Sequence, residues 1–123
     1  MTDFNTLAQR YIDAWNETDA TARRSLIDEV YSADARYIDP MVVAEGRESI
    51  AATIGAVQQQ FPGLSFRLAG TVDAHHDQAR FSWELGSFAQ TNAEALVVGS
   101  DVAVRDEDGR LSLVLGFLDR VPA

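Results

Sequence analysis

Apolar residues recur at helical spacing at the start of the chain. Phe4, Leu7, Ala8, Tyr11 and Trp15 share one face, while Gln9, Arg10, Asp13 and Glu17 fall on the other. This spacing predicts an amphipathic helix. Asp19 stands where it can N-cap a second helix, which carries Leu26, Ile27 and Val30 inward. Residues Ala35 to Asp39 alternate like a short strand, and Pro40, with no N–H to give a ladder, stops it from continuing as a central one. Gly46 opens a third helix with Ile50, Ile54, Val57 and Phe61 as its apolar stripe, and Pro62-Gly63 ends it.

After Gly63 the period changes to two. Phe66, Leu68, Gly70 and Val72 alternate with Arg67, Ala69 and Thr71, and then Ala79, Phe81, Trp83 and Leu85 alternate with Arg80, Ser82 and Glu84. Two further strands, Ala95 to Arg105 and Leu111 to Asp119, flank Asp106-Glu107-Asp108-Gly109, and an Asp-Gly pair between alternating runs signals a hairpin. No repeat, low-complexity tract or linker interrupts the pattern. Helices first and antiparallel strands after predict an α+β domain, with the helices packed on one face of a curved sheet. The 123 residues suit a single domain spanning the whole chain.

Composition narrows the function. Apolar residues make up 46% and charged residues 24%, as in an ordinary globular domain rather than a disordered one. The absence of cysteine removes disulfides, thiolate nucleophiles and thiolate metal sites. Ten basic residues against 19 acidic ones leave a net charge of −9, a field that repels nucleic acid and anionic membrane surfaces alike. All ten basic residues are arginine, so no lysine is available for Schiff-base chemistry. Apolar runs such as Ala95 to Val98 are too short to span a bilayer, and Met1-Thr2-Asp3 lacks the features of a secretory signal. A cytoplasmic protein is the expectation.

Several motifs that catch the eye carry little chemistry. His75-His76-Asp77 lies between two strands, where neighbouring side chains point to opposite faces, and it reads as a solvated turn rather than a metal site. Asp106-Glu107-Asp108-Gly109 lacks the spaced ligands and closing glutamate of a calcium loop. Gly99-Ser100-Asp101 is not a nucleophile elbow, and no glycine-rich nucleotide loop occurs. Two aspartates stand out instead. Asp39 ends a strand in Tyr37-Ile38-Asp39-Pro40, and Asp101 interrupts the otherwise apolar run Leu96 to Val104. On spacing alone Asp101 fits a solvated sheet face and a desolvated site of raised pKa equally well. Tyr11 and Trp15 fall on the apolar stripe of the first helix, where core packing is the simplest role.

The segments Gln9 to Trp15, Tyr31 to Pro40 and Gly46 to Ile50 resemble the first half of the nuclear-transport-factor-2-like fold, and Ser100-Asp101-Val102 with Asp106 to Arg110 resembles its last hairpin. That superfamily includes the SnoaL-like polyketide cyclases and the ketosteroid isomerases. The resemblance covers the chain in order and implies a cone-shaped α+β fold. It further implies a general base at Asp39 of the Asp-Pro pair, an oxyanion donor at Tyr11 of Arg10-Tyr11-Ile12, and a second donor, a neutral aspartic acid, at Asp101 before Val102. Tyr31 stands where some members carry a supporting tyrosine, whereas Ile54 replaces the one they carry on the third helix. Trp15, Tyr31, Met41, Val57, Phe61, Phe81, Trp83 and Phe117 are the expected pocket walls, around an apolar carbonyl-bearing molecule. The chemistry so implied is cofactor-free and metal-free: deprotonation of a carbon acid and stabilisation of the enolate, as in isomerisation or aldol cyclisation. A non-catalytic ligand carrier or protein-interaction domain on the same fold is the alternative. The resemblance, together with apolar residues on too many strand positions for one face (Phe66, Leu68, Phe81, Trp83, Leu85, Val102, Val104, Leu113, Leu115), implies a homodimer formed through the sheet.

Overall fold

A computed structural model describes residues 3–88 and 94–122; the leader reading at Met1-Thr2 lies outside them. Helix α1 (Phe4–Asn16) and helix α2 (Ala20–Val30) come first, followed by strand β1 (Tyr31–Ile38), strand β2 (Val43–Glu45) and helix α3 (Gly46–Gln60). Strands β3 (Ser65–His75), β4 (Gln78–Gly86), β5 (Val97–Arg105) and β6 (Leu111–Arg120) complete the chain. The six strands form one sheet in the order β2-β1-β6-β5-β4-β3; β1 pairs with β6 in parallel and every other neighbour is antiparallel. No helix among the described residues is long and apolar enough to cross a membrane.

Local chemistry accounts for the boundaries. The Asp3 and Asp19 carboxylates accept hydrogen bonds from the backbone N–H of Thr6 and Ala22, capping α1 and α2. Arg47 donates to the carbonyls of Asp28 and Tyr31, and Arg110 also donates to Asp28 O, so the open C-terminal end of α2 is closed by two guanidinium groups. His76, with φ of 54°, turns the exposed β3–β4 hairpin, as a solvated turn requires. Gly109, with φ of 81°, turns the β5–β6 hairpin while the Asp106 carboxylate accepts from Asp108 N and Arg110 N.

The structure departs from expectation in places. Strand β1 begins at Tyr31 rather than Ala35, because a register shift against β6 between Tyr31 and Arg36 breaks the alternation that marks a strand. The three-residue β2 is too short to show a period, and β5 begins at Val97 rather than Ala95. Of the nine strand residues read as too many for one face, cross-strand pairing puts Phe66, Leu68, Phe81, Trp83 and Leu85 on the helix-covered face. Val102, Val104, Leu113 and Leu115 alternate with the buried Ala103 and Val114 and lie on the opposite one.

Helix α1 is fastened at its C-terminal end. The Asn16 amide both donates to Phe66 O and accepts from Phe66 N, tying the helix to the edge strand β3. The Gln58 amide of α3 donates to the carbonyls of Trp15 and Glu17, and Arg23 of α2 donates to Gln58 Oε1 and to Glu17 O. All three helices therefore meet at one turn. Asn16→Ala removes both bonds to Phe66, so it should cost about 1–3 kcal/mol, and thermal denaturation should show Tm lower by roughly 5–10 °C with the fold retained.

Candidate active site

Between the helices and the inner face of the sheet lies a cavity of about 690 Å³. Helix α1 supplies Tyr11, Ile12 and Trp15, helix α3 supplies Thr53, Ala56, Val57 and Gln60, and Phe61 follows directly. The sheet supplies Tyr37, Phe66, Trp83, Leu85, Val97, Asp101 and Gly116, with Asp39 just past the end of β1. Met41 and Phe117, 80% and 56% exposed, mark the mouth together with Leu118 and Val121.

Asp101 is the deepest polar group, only 2% exposed. Its position on the inner face follows from its pairing with Phe81 on one side and Gly116 on the other. Tyr11 Oη donates to Asp101 Oδ2 at 2.7 Å, and Oδ1 has no hydrogen-bond partner among the described residues. Burial pushes the carboxyl up to about 6; the Tyr11 hydroxyl and the nearby Trp83 indole work against that rise, while the charges of Asp39 and Asp119 add to it. Burial and the neighbouring Asp101 carboxylate in turn hold the Tyr11 phenol well above its ordinary value, so it stays a donor.

Asp39 is held differently. The Asp-Pro pair opens a tight turn in which Oδ1 accepts from the backbone N–H of Met41 at 2.8 Å and of Val42 at 3.0 Å. Oδ2 accepts from Tyr37 Oη at 2.7 Å, which leaves one lone-pair direction on that oxygen. Two donors thus fix one oxygen by backbone and a single phenol holds the other. Tyr37, buried and two residues upstream on the same face of β1, was not among the residues expected here; the period of two was the signal that could have found it.

Two glycines make room. A Cβ at Gly116 would stand 2.9 Å from Asp101 Oδ1 and 3.3 Å from Asp39 Cβ, so the two aspartate side chains close in on the bare face of this glycine. A Cβ at Gly99 would overlap the indole ring of Trp83, which lies flat against β5 across from its partner residue. Neither glycine was singled out from sequence, because their role depends on what lies across the sheet.

The cavity thus brings together Asp39, Tyr11 and Asp101, with Trp15, Met41, Val57, Phe61, Trp83 and Phe117 around them. Tyr31 and Phe81, expected in the wall, stand one layer behind it. Tyr31 is fully buried, and its hydroxyl accepts from Trp15 Nε1 at 3.3 Å. Phe81 packs edge-on against the Tyr11 ring at 5.5 Å and borders a separate cleft of about 480 Å³ at the β3 bulge, beside Thr71, Asp73 and Arg80. The core takes them because their rings are the supports of Tyr11.

A family model described as a SnoaL-like domain matches residues 8–114. Among solved structures, a candidate isomerase of the SnoaL-like family from Agrobacterium tumefaciens is 43% identical, with a TM-score of 0.88 over 98% of this chain and 100% of that one. A candidate SnoaL-like polyketide cyclase from Jannaschia sp. CCS1 is 15% identical, with a TM-score of 0.68 over 94% of this chain and 86% of that one, and shares the fold alone. A candidate polyketide cyclase from Sinorhizobium meliloti, 14% identical with a TM-score of 0.68 over 90% and 93% of the two chains, does likewise. No curated protein sequence matches the chain.

Because the folded state binds the Asp101 proton more tightly than an unfolded aspartate does, the stability it contributes is full below about pH 4 and is lost as pH rises through about 6. Asp101→Asn carries no such proton. Urea denaturation should show the wild type losing about 2–3 kcal/mol relative to Asp101→Asn between those pH values. Gly116→Ala, which crowds both aspartate side chains, should cost about 1–3 kcal/mol in the same assay at any pH.

Proposed function

The chain belongs to the SnoaL-like domain family, and from that premise we propose that its cavity binds a largely apolar carbonyl compound and catalyses proton transfer at the carbon beside the carbonyl. The observation that carries the reading is the unpartnered Oδ1 of Asp101 at the base of the cavity. A buried carboxyl oxygen without a partner is costly as an anion. Once protonated on Oδ1, the same group becomes an O–H donor at the base of the cavity, while Oδ2 continues to accept from Tyr11. A substrate carbonyl brought against Oδ1 beside Gly116 receives that hydrogen bond, which strengthens as the oxygen gains charge in the enolate.

Asp39 lines the same cavity and is the base. Its backbone-held Oδ1 fixes the carboxylate, and the free lone pair of Oδ2 is the site that takes the α-proton and returns it at another carbon or leaves an enolate to attack within the molecule. Tyr11 acts through Asp101 as a positioning residue in this arrangement, since its hydroxyl is already committed to Oδ2. Trp15, Phe66, Trp83 and Val57 exclude water from the reacting carbon. Isomerisation and aldol-type cyclisation draw on the same two groups.

The test is solvent deuterium exchange into enolisable cyclic ketones, followed by proton NMR. Wild type should accelerate exchange at the α-carbon. Asp39→Asn should remove the acceleration, because an amide is no base, whereas Asp101→Asn keeps a donor and should retain much more activity than Asp101→Leu. Equal exchange with and without protein, together with ligand-dependent stabilisation, would make the chain a carrier instead. We also propose that the sheet face bearing Val102, Val104, Leu113 and Leu115 joins two copies; light scattering at micromolar concentration should give twice the 13.5 kDa chain mass.

A further inference from the structure

We propose that the cavity also binds lipophilic amines, with the ammonium group seated between Asp39 and Asp101 and the hydrocarbon body against the aromatic wall. This goes beyond the proton-transfer reading, since it requires neither a carbonyl nor turnover.

Three observations converge. First, Asp39 and Asp101 line the same cavity, their side chains meeting beside Gly116, and Asp101 Oδ1, buried, has no hydrogen-bond partner among the described residues. An ammonium group brought against Asp101 would supply the N–H that Oδ1 lacks, and Asp39, lining the same cavity, keeps one lone pair on Oδ2 for a second. Second, the wall above is a run of rings in mutual contact: Tyr37 to Trp15 at 5.3 Å, Trp15 to Phe66 at 5.6 Å and Phe66 to Trp83 at 5.4 Å. Their faces attract a cation electrostatically, by about 0.5–2 kcal/mol for a desolvated contact. Third, none of the described lining residues is arginine, lysine or histidine, so no cationic side chain in the wall pairs with the carboxylates or welcomes an anion. The chain's net charge of −9 draws cations toward the mouth.

The groups facing Asp101 are Tyr11 from α1, Trp83 from β4, Asp119 from β6, Asp39 after β1, and Tyr31 and Tyr37 of β1. Helix α3 lines the cavity with Thr53, Ala56, Val57 and Gln60, none of which titrates. The pH dependence of binding therefore follows Asp101 itself. An ammonium group pairs with the ionised form and a neutral oxygen ligand with the protonated one, so the two ligand classes have opposite pH dependence.

The experiment uses three probes with one ring system: 2-(aminomethyl)naphthalene, which is cationic, 2-naphthol, which is neutral, and 2-naphthoate, which is anionic. Binding is read by titration calorimetry between about pH 5 and 7.5. The amine should bind about tenfold more tightly at the upper pH, as Asp101 ionises through about 6, and more tightly than naphthol there. Naphthoate should be the weakest of the three throughout. Asp101→Asn should flatten the pH dependence of the amine while naphthol binding persists, which shows that the variant is folded. Naphthol matching the amine at pH 7.5, amine affinity that falls as pH rises, or no amine binding would each overturn the proposal. None of these outcomes touches deuterium exchange into ketones, which judges the catalytic reading separately.

Discussion

One buried carboxyl group, bonded through one oxygen and unpartnered through the other, sets the terms for the molecule's interior. Asp101 is tolerable at its depth only because Tyr11 donates to Oδ2, and Tyr11 reaches it only because α1 is held across the sheet at a fixed height. Asn16, Gln58 and Arg23 set that height by closing the end of α1 against β3 and the other two helices. Tyr31 and Phe81 press on the Tyr11 ring at 6.0 and 5.5 Å. Polar positioning and aromatic packing thus serve the same hydrogen bond. Gly116 makes the room the other oxygen needs, since a Cβ there would stand 2.9 Å from it.

The two aspartates show how one residue type takes two roles on one fold. Asp39 stands at a turn where two backbone N–H groups and a phenol donate hydrogen bonds to it. Asp101 stands in a sheet whose backbone groups are spent on ladder pairing, so only side chains can answer its charge. Burial then outweighs them. The difference arises from where the two residues fall in the secondary structure, one at a turn and one within a sheet.

Most of the fold was legible in the sequence, because the three helices and the four long strands carry clear periods of 3.6 and two. The elements that escaped are those with no period to show: the three residues of β2, and the part of β1 that precedes its register shift. The site was legible in a more uneven way. Asp39 announced itself through the Asp-Pro pair, but Asp101 could not be assigned a face, since Val97 and Ala103 on its own parity are as apolar as Val98, Val102 and Val104 on the other. Only pairing with Phe81 and Gly116 decides between them. Tyr31 and Phe81 were read as wall because aromatic character does not distinguish a surface from the layer that supports it.

Tyr11 and Asp101 lie 90 residues apart in the chain. Closing so large a loop is entropically unfavourable before the strands between them are in register, so this contact belongs to the late part of folding. A nascent chain that has not yet emerged as far as β5 and β6 lacks Asp101 and one wall of the cavity. Ligand affinity is accordingly a property of the complete fold, and any molecule that binds there stabilises the whole domain against unfolding rather than one local segment.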